Sequence, residues 1–477
     1  MNTSSFPTTR PHPGGQGSFR LRGMRGRKGA AFSCPAPMAA VCLGLMLWAG
    51  TAQAQPAATG PLSLDEAVRA AARWHPGVRN AAQQLLQANE GIAMARSGYL
   101  PQVRAGIGAQ FGNNNISSYD SRRVQTGTLG VSQMLYDFGK VASVVDEAEA
   151  ATRATRAQVQ QSIDDVARDT AQAWVEVHRQ QALGQVAREQ IDGVQALADL
   201  VIERERKGAG TRSDVAQAQA RVEAARVQVL GADALASRAR LNLMNLVGGR
   251  SADGIAGEPP AWLAQACGAD AAEPATPAVR LANARREEAD AQVRGARARR
   301  LPTLSLDGTI NHALSGQSQI AGGSSTNTVV ALNFSVPLYE GGGGDARERA
   351  AGHALGAADA ALEQARQTAR QNLDDARSLA QSYVRRDPAL AARVESIRTT
   401  RDLYRQQYLQ LGTRSLLDLL NSEQEYHAAR FEQVESRHEQ YRLGTLCLYN
   451  TDRLRSAFGL EEAQDATTTA ATGWSAR

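Results

Sequence analysis

The side chains best placed to do chemistry lie in two short stretches that interrupt long helical patterns. Residues 208–215 read Gly-Ala-Gly-Thr-Arg-Ser-Asp-Val, and residues 411–420 read Leu-Gly-Thr-Arg-Ser-Leu-Leu-Asp-Leu-Leu. In each stretch a glycine precedes an aspartate, Asp214 or Asp418, by six residues. A glycine, then Thr or Ser, then an aspartate within the first turn is typical of one helix ending and another being capped. The sequence therefore predicts two hairpin tips whose polar groups can cap helices or form ion pairs.

The other reactive side chains form no catalytic or metal-binding pattern. The glycine run 341–344 is not followed by the Gly-Lys-Ser/Thr of a phosphate-binding loop. Cys267 and Cys447 show neither metal-type spacing nor a strong disulfide framework. The histidines beyond residue 54 are scattered, without the spacing of a metal site: His75, His178, His312, His353, His427 and His438. Since no nucleophile–base pair or carboxylate pair argues for catalysis, we expect no enzyme activity, metal or cofactor.

Long helices must position the two tips. Between residues 102 and 258 the sequence has no proline, and apolar side chains recur at three- and four-residue spacing up to the first tip. Such sustained spacing is typical of an antiparallel coiled coil. A helix over 142–207 would be about 100 Å long at ~1.5 Å per residue, far longer than an ordinary globular helix.

A pair of strands precedes each long helix. Apolar and polar residues alternate in the segments 103–135 and 303–338, each of which contains a polar loop, 113–121 and 313–327 respectively. The first run of alternation is about ten residues long, which is the length that a tilted transmembrane strand needs. The sequence therefore predicts two half-buried strand pairs.

Several landmarks occur twice in the same order, which indicates a tandem duplication. Pro76 and Pro277 are 201 residues apart, and Leu135-Tyr-Asp-Phe-Gly139 matches Leu338-Tyr-Glu-Gly-Gly342 after 203 residues. A period of this length excludes a solenoid and favours two large units. We place a first repeat at 55–248, a linker at 249–275, a second repeat at 276–460 and a disordered tail at 461–477.

The first 54 residues carry six basic and no acidic residues, followed by an apolar run and Ala-Gln-Ala. This pattern predicts a signal peptide over 1–54, with a disordered basic tail as the alternative. The whole chain has 53 basic and 48 acidic residues, so removal of this segment leaves 47 against 48. The high isoelectric point therefore belongs largely to the export signal, and we expect no nucleic-acid partner.

Four strands cannot close into a barrel by themselves. They leave two open edges, and every unpaired edge group in lipid is costly. Closure requires several chains, and three chains would give twelve strands. The physical inference is an oligomeric conduit with a membrane end and a helical end.

The order of elements resembles the TolC family of trimeric outer-membrane channel-tunnels. Leu64-Asp-Glu-Ala67, the two Leu-Tyr-(Asp/Glu)-x-Gly strand exits and the Gly-Thr-Arg-Ser-Leu-Leu-Asp-Leu-Leu tip carry this resemblance, which covers 62–460. It implies a mixed α and transmembrane β fold. The chain would be the tandem-duplicated protomer of a trimeric twelve-stranded β-barrel in outer-membrane lipid, continuous with a long α-helical coiled-coil tunnel in the periplasm.

Within that family, residues 410–424 look most like the members that serve type I protein secretion, and the predicted lack of a lipoprotein cysteine agrees with this. The resemblance then implies an export duct recruited by an inner-membrane ABC transporter and a periplasmic adaptor protein. An efflux duct for drugs or metals, with a different inner-membrane partner, is the alternative. A soluble periplasmic coiled-coil adaptor is a further alternative, but it leaves the strand pairs unexplained.

The resemblance also implies a gate at the periplasmic tips. Arg414 would pair with Ser213 and Asp214, and Asp418 would form a three-fold acidic ring that attracts cations. A second acidic position of the family is Asn421 in this sequence. The turns themselves would be formed by Gly208, Gly210, Gly412 and Thr413.

The same tip residues are also compatible with simpler roles. The family has a tyrosine three residues before the tip glycine, where this sequence has Leu409 with Tyr408 beside it. Arg414 and Asp214 could be solvated tip residues whose pairing contributes little, as in most exposed salt bridges. Asp418 could be merely an acid at a helix N-terminus, and its counterpart Asp214 fits either role.

Overall fold

The computed structural model of the protein describes residues 61–112, 123–249, 254–268, 276–315 and 324–460. The predicted signal peptide and the predicted tail lie outside the described residues, as does the predicted loop 113–121. Parts of the predicted linker and of the second strand loop also lie outside them.

The N-terminal half begins with two helices, α1 (Leu64–Trp74) and α2 (Pro76–Arg96). The apolar pattern predicts one helix over 62–97, and this prediction is wrong at His75. Pro76 lacks an N–H, and its ring disfavours a helical backbone at the residue before it. His75 is therefore extended, with φ −59° and ψ 130°, and Pro76 starts a second helix as its first residue.

The strands form one antiparallel sheet in the order β1-β2-β3-β4. Their bounds are β1 (Gln102–Phe111), β2 (Arg123–Tyr136), β3 (Thr303–Ser315) and β4 (Thr326–Ser335). The central pairing joins the two halves of the chain, with Leu129 opposite Ile310. The strands contact mainly one another, and apolar side chains of the edge strands are open: Ile107 is 82% and Val330 is 70% exposed. The described sheet therefore presents apolar side chains and two unpaired edges.

Long helices follow each strand pair. They are α3 (Lys140–Arg206), α4 (Arg212–Val247), α6 (Pro277–Ala298), α7 (Gly343–Gln406) and α8 (Leu416–Asn450), with short helices α5 (Ala261–Gln265) and α9 (Leu454–Phe458). With 67 residues, α3 is about 100 Å long at ~1.5 Å per residue. α3 packs along α4, α7 packs along α8, and α3 also contacts α6 and α8. Over the part of the chain that is described, none of the helices has both the length and the apolar character that crossing a bilayer requires.

The main apolar core lies where the halves meet. Trp174 of α3 is fully buried there, and its indole Nε1 donates to the carbonyl oxygen of Leu62 at 2.9 Å. Leu62 in turn forms a parallel β-bridge with Ile255, and Leu263 is fully buried. The described part of the segment predicted as a linker, 254–268, is therefore packed into the core.

A disulfide joins this inter-half segment to α8. Cys267 and Cys447 are bonded although 180 residues separate them. The sequence-based expectation of no disulfide framework is wrong here, because spacing cannot reveal a pair brought together only by the fold. Gly444 permits the close approach, since a Cβ at this position would overlap the carbonyl oxygen of Leu263.

A buried charged network ties α3 to the C-terminal half. The Asp164 side chain is 2% exposed, and its carboxylate oxygens each lie 3.3 Å from a guanidinium nitrogen, one of Arg280 and one of Arg455. Asp452 lies 2.6 Å from Arg280 and 3.1 Å from Arg455, which completes the ring. Burial raises the pKa of Asp164 to about 7, and the two arginines oppose this rise. The four groups therefore connect α3 to the C-terminal half, and removal of one of them leaves its partners without their opposite charge.

Replacing Asp164 by asparagine should lower the free energy of unfolding by about 3 kcal/mol, because Arg280 and Arg455 then lose their buried carboxylate. The comparison is made by denaturation of the detergent-extracted protein at pH 8, where Asp164 is ionised. Asp359→Asn is the matched control, since the Asp359–Arg286 pair at 2.7 Å is half exposed. The control should lose less than about 1 kcal/mol. Equal losses in both variants would show that the buried network contributes no more than an exposed pair.

Candidate functional site

Both hairpin tips are built by the predicted caps. α3 ends at Arg206, Gly208 adopts the left-handed conformation with φ +74°, and Thr211 caps α4, which begins at Arg212. The hydroxyl of Thr211 accepts from the backbone N–H of Asp214 at 3.1 Å, and the Asp214 carboxylate accepts from the backbone N–H of Thr211 at 3.1 Å. This reciprocal capping box satisfies two N–H groups that otherwise lack partners. The cap predicted from the sequence is confirmed.

The second tip repeats the cap after a wider turn. Five residues, 407–411, form a π-helical turn, and Gly412 follows with φ +62°. Ser415 accepts from the backbone N–H of Asp418 at 3.2 Å, and the Asp418 carboxylate accepts from the N–H of Ser415 at 3.4 Å. Asp214 and Asp418 therefore have the same local role, which is that of an acid three residues into a helix.

An apolar cluster underlies both tips and fixes their relative position. Leu416, Leu419 and Leu420 of α8 and Tyr408 pack against side chains of the first hairpin. The first hairpin contributes Val194, Leu197, Ala198 and Val201 of α3 and Ala218 and Val222 of α4. Burial raises the pKa of the Tyr408 hydroxyl, with Arg204 opposing the rise and Asp214 adding to it. The two tips are therefore packed on each other within a single chain.

Two arginines of the first hairpin bind the second. Arg204 donates from Nη1 to the carbonyl oxygen of Tyr408 at 2.8 Å, and its guanidinium carbon lies 4.6 Å from the centre of the Tyr408 ring. Arg221 of α4 donates to Gln424 Oε1 at 2.7 Å and to Asn421 Oδ1 at 3.4 Å. Because each arginine and its partner lie on different hairpins, these bonds oppose separation of the tips.

Arg414, predicted to face the first tip, has partners on its own hairpin. Its Nε donates to Gln407 Oε1 at 3.1 Å, and its guanidinium carbon lies 4.4 Å from the centre of the Tyr404 ring. Its Nη1 lies 4.0 Å from the Asp418 carboxylate. Among the described residues of one chain, Arg414 makes no hydrogen bond or ion pair with Asp214.

The other predicted tip residues lie beside these caps. Ser213 Oγ is 2.7 Å from Thr211 Oγ1, so its hydroxyl belongs to the first cap. Gly210 lies at a close approach, where an added Cβ would come within 3.3 Å of the backbone nitrogen of Glu205. Thr413 is exposed and follows Gly412 in the second turn. The structure thus brings the predicted residues into two neighbouring caps, and other side chains join those caps.

Arg204 and Arg221 were not predicted from the sequence. One signal was available: aligned on Gly208 and Gly412, Arg204 and Tyr408 occupy equivalent positions, four residues before each glycine. Equivalent positions of two adjacent hairpins face each other when the hairpins pack side by side. No comparable signal marks Arg221, whose partners lie about 200 residues away.

A buried acid lies farther along α8. Glu423 is 7% exposed and lies 3.1 Å from His427 Nε2 and 3.8 Å from Arg401. A Cβ at Gly193 of α3 would lie 2.5 Å from Glu423 Oε1, so glycine at 193 makes room for the carboxylate. Within the described ranges, no three His, Cys, Asp or Glu side chains are grouped as metal ligands.

Residues 67–249 and 269–442 match the model of a protein family described as outer membrane efflux protein. The chain belongs to the outer membrane efflux protein family. The match spans both halves, including the sheet and both hairpin tips, so the candidate site lies inside the region that defines the family. Membership places the chain in the outer membrane, in a family of channels, and confirms the resemblance to the TolC family.

The chain is similar in sequence to other proteins over most of its length. It is 26% identical over 397 residues to the outer membrane efflux protein BepC of Brucella suis, covering 79% of this chain and 82% of BepC. It is 26% identical over 329 residues to protein CyaE of Bordetella pertussis, covering 64% of this chain and 66% of CyaE.

The fold is similar to that of a solved outer membrane protein. The crystal structure of the outer membrane protein VceC of Vibrio cholerae matches with a TM-score of 0.69 at 19% identity, covering 81% of this chain and 95% of VceC. At this level of identity the likeness concerns the fold alone.

Proposed function

We propose that this efflux-family chain is one protomer of a trimeric export duct, with the sheets of three chains closing into a twelve-stranded barrel in the outer membrane. The observation that carries this proposal is the four-stranded sheet, which in the described chain has two unpaired edges and exposed apolar side chains on its edge strands. Unpaired edges are too costly in lipid, so neighbouring copies must pair with them. The long helices would continue the barrel as a tunnel in the periplasm.

The two tips would be the closed end of this duct. Their caps, the shared apolar cluster and the cross-hairpin arginines favour a packed, narrow arrangement in the resting state. An inner-membrane transporter and a periplasmic adaptor would have to separate the hairpins for transport. Pairing of Arg414 with the Ser213–Asp214 tip, as a link between the two hairpins in the assembled duct, stays part of the proposal.

For the cargo, we propose protein substrates of a type I secretion system served by an ABC transporter. The tip sequence at 410–424 supports this assignment. An efflux duct for small molecules is the second candidate, and the similarity to BepC, which is named an efflux protein, favours it. Deleting the gene separates the two: the type I assignment expects loss of an exported protein from the medium without greater drug sensitivity, and the opposite outcome favours efflux.

Conductance in a planar bilayer tests the duct itself. The detergent-extracted wild-type protein should give small, cation-selective single-channel currents, because three Asp418 carboxylates would line the closed end. Folded, membrane-extracted protein that gives no channel would overturn the conduit.

Two substitutions at one residue separate the pore role of Asp418 from its capping role. Asp418→Asn keeps an oxygen that accepts from the Ser415 backbone N–H but removes the charge, so cation selectivity should fall several-fold without fraying of α8. Asp418→Ala should also lose the carboxylate half of the cap, the bond from the Ser415 N–H, at a cost of about 1 kcal/mol, which hydrogen exchange over 415–422 detects. Unchanged selectivity in Asp418→Asn would leave Asp418 as a cap alone.

A further inference from the structure

Three ionisable side chains from three parts of the chain meet beside Trp174. His178 of α3 and His438 of α8 lie with Nδ1 and Nε2 2.7 Å apart. Glu258, in the inter-half segment 254–260, lies 3.2 Å from the other nitrogen of His178, Nε2. Trp174 stacks on His178 at 5.8 Å between ring centres, and the far nitrogen of His438, Nδ1, lies 2.7 Å from the carbonyl oxygen of Val434.

The hydrogen-bond donors and acceptors in the series from Val434 through His438 and His178 to Glu258 determine which ring nitrogens carry protons. A carbonyl oxygen only accepts, so Nδ1 of His438 carries a proton. A neutral His438 then offers a bare Nε2, which accepts from Nδ1–H of His178. The carboxylate of Glu258 also only accepts, so Nε2 of His178 must carry a proton as well. With His438 neutral and Glu258 ionised, His178 is therefore a cation in this arrangement.

We propose that His178, His438 and Glu258 form one proton-binding site that fastens segment 254–260 to the joint between α3 and α8. When the proton leaves, neutral His178 keeps its single N–H toward His438 and turns a lone pair toward the Glu258 carboxylate. That contact is repulsive, and Glu258 is free to leave because its side chain is 87% exposed. The part of the segment around Glu258 is held when the site is protonated and loosened when it is not, while the β-bridge at Ile255 and the buried Leu263 keep the flanking residues in the core.

The electrostatic surroundings set the direction of the pH dependence. Burial lowers the pKa of His178, and Glu258 opposes this fall. Burial also lowers the pKa of His438, with His178, Arg179 and Arg437 adding to the fall and the bond to Val434 opposing it. Both histidines therefore titrate below the usual value of 6.5. The fastened state is present in acid and is lost as pH rises through the pKa of His178.

The site holds one proton rather than two. A second proton on Nε2 of His438 would set two N–H groups against each other at 2.7 Å. His438 is 4% exposed, so water cannot relieve that repulsion. The hydrogen bond between the two imidazoles therefore persists when the site binds one proton and is lost when it binds a second.

Hydrogen–deuterium exchange of the full-length protein in detergent tests the proposal between pH 5 and 8. After correction for intrinsic exchange, the amides of residues 254–258 in the wild type should exchange faster as pH rises, by up to about tenfold per pH unit for a one-proton linkage. Pro259 and Pro260 carry no amide hydrogen and report nothing. In Glu258→Gln the amide donates to a neutral His178, so the segment should stay protected across the whole range. In His178→Phe it should exchange fast at every pH.

The exposed histidine His353 supplies the matched control, and His353→Phe should keep the wild-type pH dependence. Protection of the 254–258 amides that does not change with pH in the wild type would overturn the proposal. So would a Glu258→Gln variant that retains the wild-type dependence. Exchange over 163–177 of α3, which lies in the main core, monitors folding in every variant.

Discussion

Alanine at both Arg204 and Arg221 is expected to raise the mean single-channel conductance of the reconstituted protein several-fold. The double variant removes the hydrogen bonds that run from the first hairpin to Tyr408, Asn421 and Gln424. Bonds from a charged donor contribute about 1.5–3 kcal/mol each when shielded and less at exposed sites, so we expect about 2–3 kcal/mol in total. This corresponds to a roughly 30- to 150-fold shift from closed toward open tips.

Matched controls distinguish tip opening from loss of surface charge. Arg226 lies on α4, as Arg221 does, but its partner Glu223 is on the same helix, three residues away. Arg226→Ala should therefore leave the conductance unchanged. Tyr408→Phe should also leave the channel closed, because Arg204 donates to the backbone carbonyl and stacks on the ring. A double variant that conducts like the wild type would show that the tips are held by other contacts, such as the apolar cluster beneath them.

Alanine at Gly444 is expected to lower the free energy of unfolding by about 5 kcal/mol, because its Cβ would overlap the carbonyl oxygen of Leu263. A backbone group cannot turn aside as a side chain does, so the segment around Leu263 must move away from α8. That movement separates Cys267 from Cys447. A cross-link that closes 180 residues contributes about 5 kcal/mol in the chain-entropy model.

The Gly444→Ala variant is examined by thermal denaturation and by labelling of free thiols. The expected result is a large loss of stability together with reactive thiols at Cys267 and Cys447. Gly356→Ala in α7 is the control, since a Cβ there has no neighbour within 4 Å, and it should be neutral or slightly stabilising. Serine at both cysteines isolates the contribution of the cross-link. A fully oxidised, equally stable Gly444→Ala protein would contradict the expected overlap.

Local sequence patterns were sufficient for the elements and the caps. The long helix expected over 142–207 is α3, Lys140–Arg206, because proline-free apolar spacing is a property of adjacent residues. The aspartates at 214 and 418 were predicted to lie in the first turns of capped helices and do so, since a capping box spans only four residues. The break at His75 was missed because the apolar pattern continues through it, although Pro76 was a local signal.

The contacts that join the halves could not be predicted in this way. Asp164 contacts Arg455, and Cys267 is bonded to Cys447. The two residues of each pair are far apart in the sequence, so no local periodicity indicates that they are in contact. Arg414 was assigned a partner by resemblance, and within one chain its nearest partners are instead Tyr404 and Gln407. Such pairings depend on which helix faces lie together, and that is settled only by packing of the whole chain.

The bond between Cys267 and Cys447 has a consequence for the order of export. A chain that leaves the cytoplasm with its N-terminus first delivers Cys267 long before Cys447, which lies near the end of α8. Cys267 therefore stays a free thiol, or forms a temporary disulfide with another thiol, until nearly the whole chain has left the cytoplasm. The disulfide between Cys267 and Cys447 can therefore form only after α8, the last long helix, has been exported. In a chain that has formed this disulfide, residues 267–447, which make up most of the C-terminal half, form a covalently closed loop.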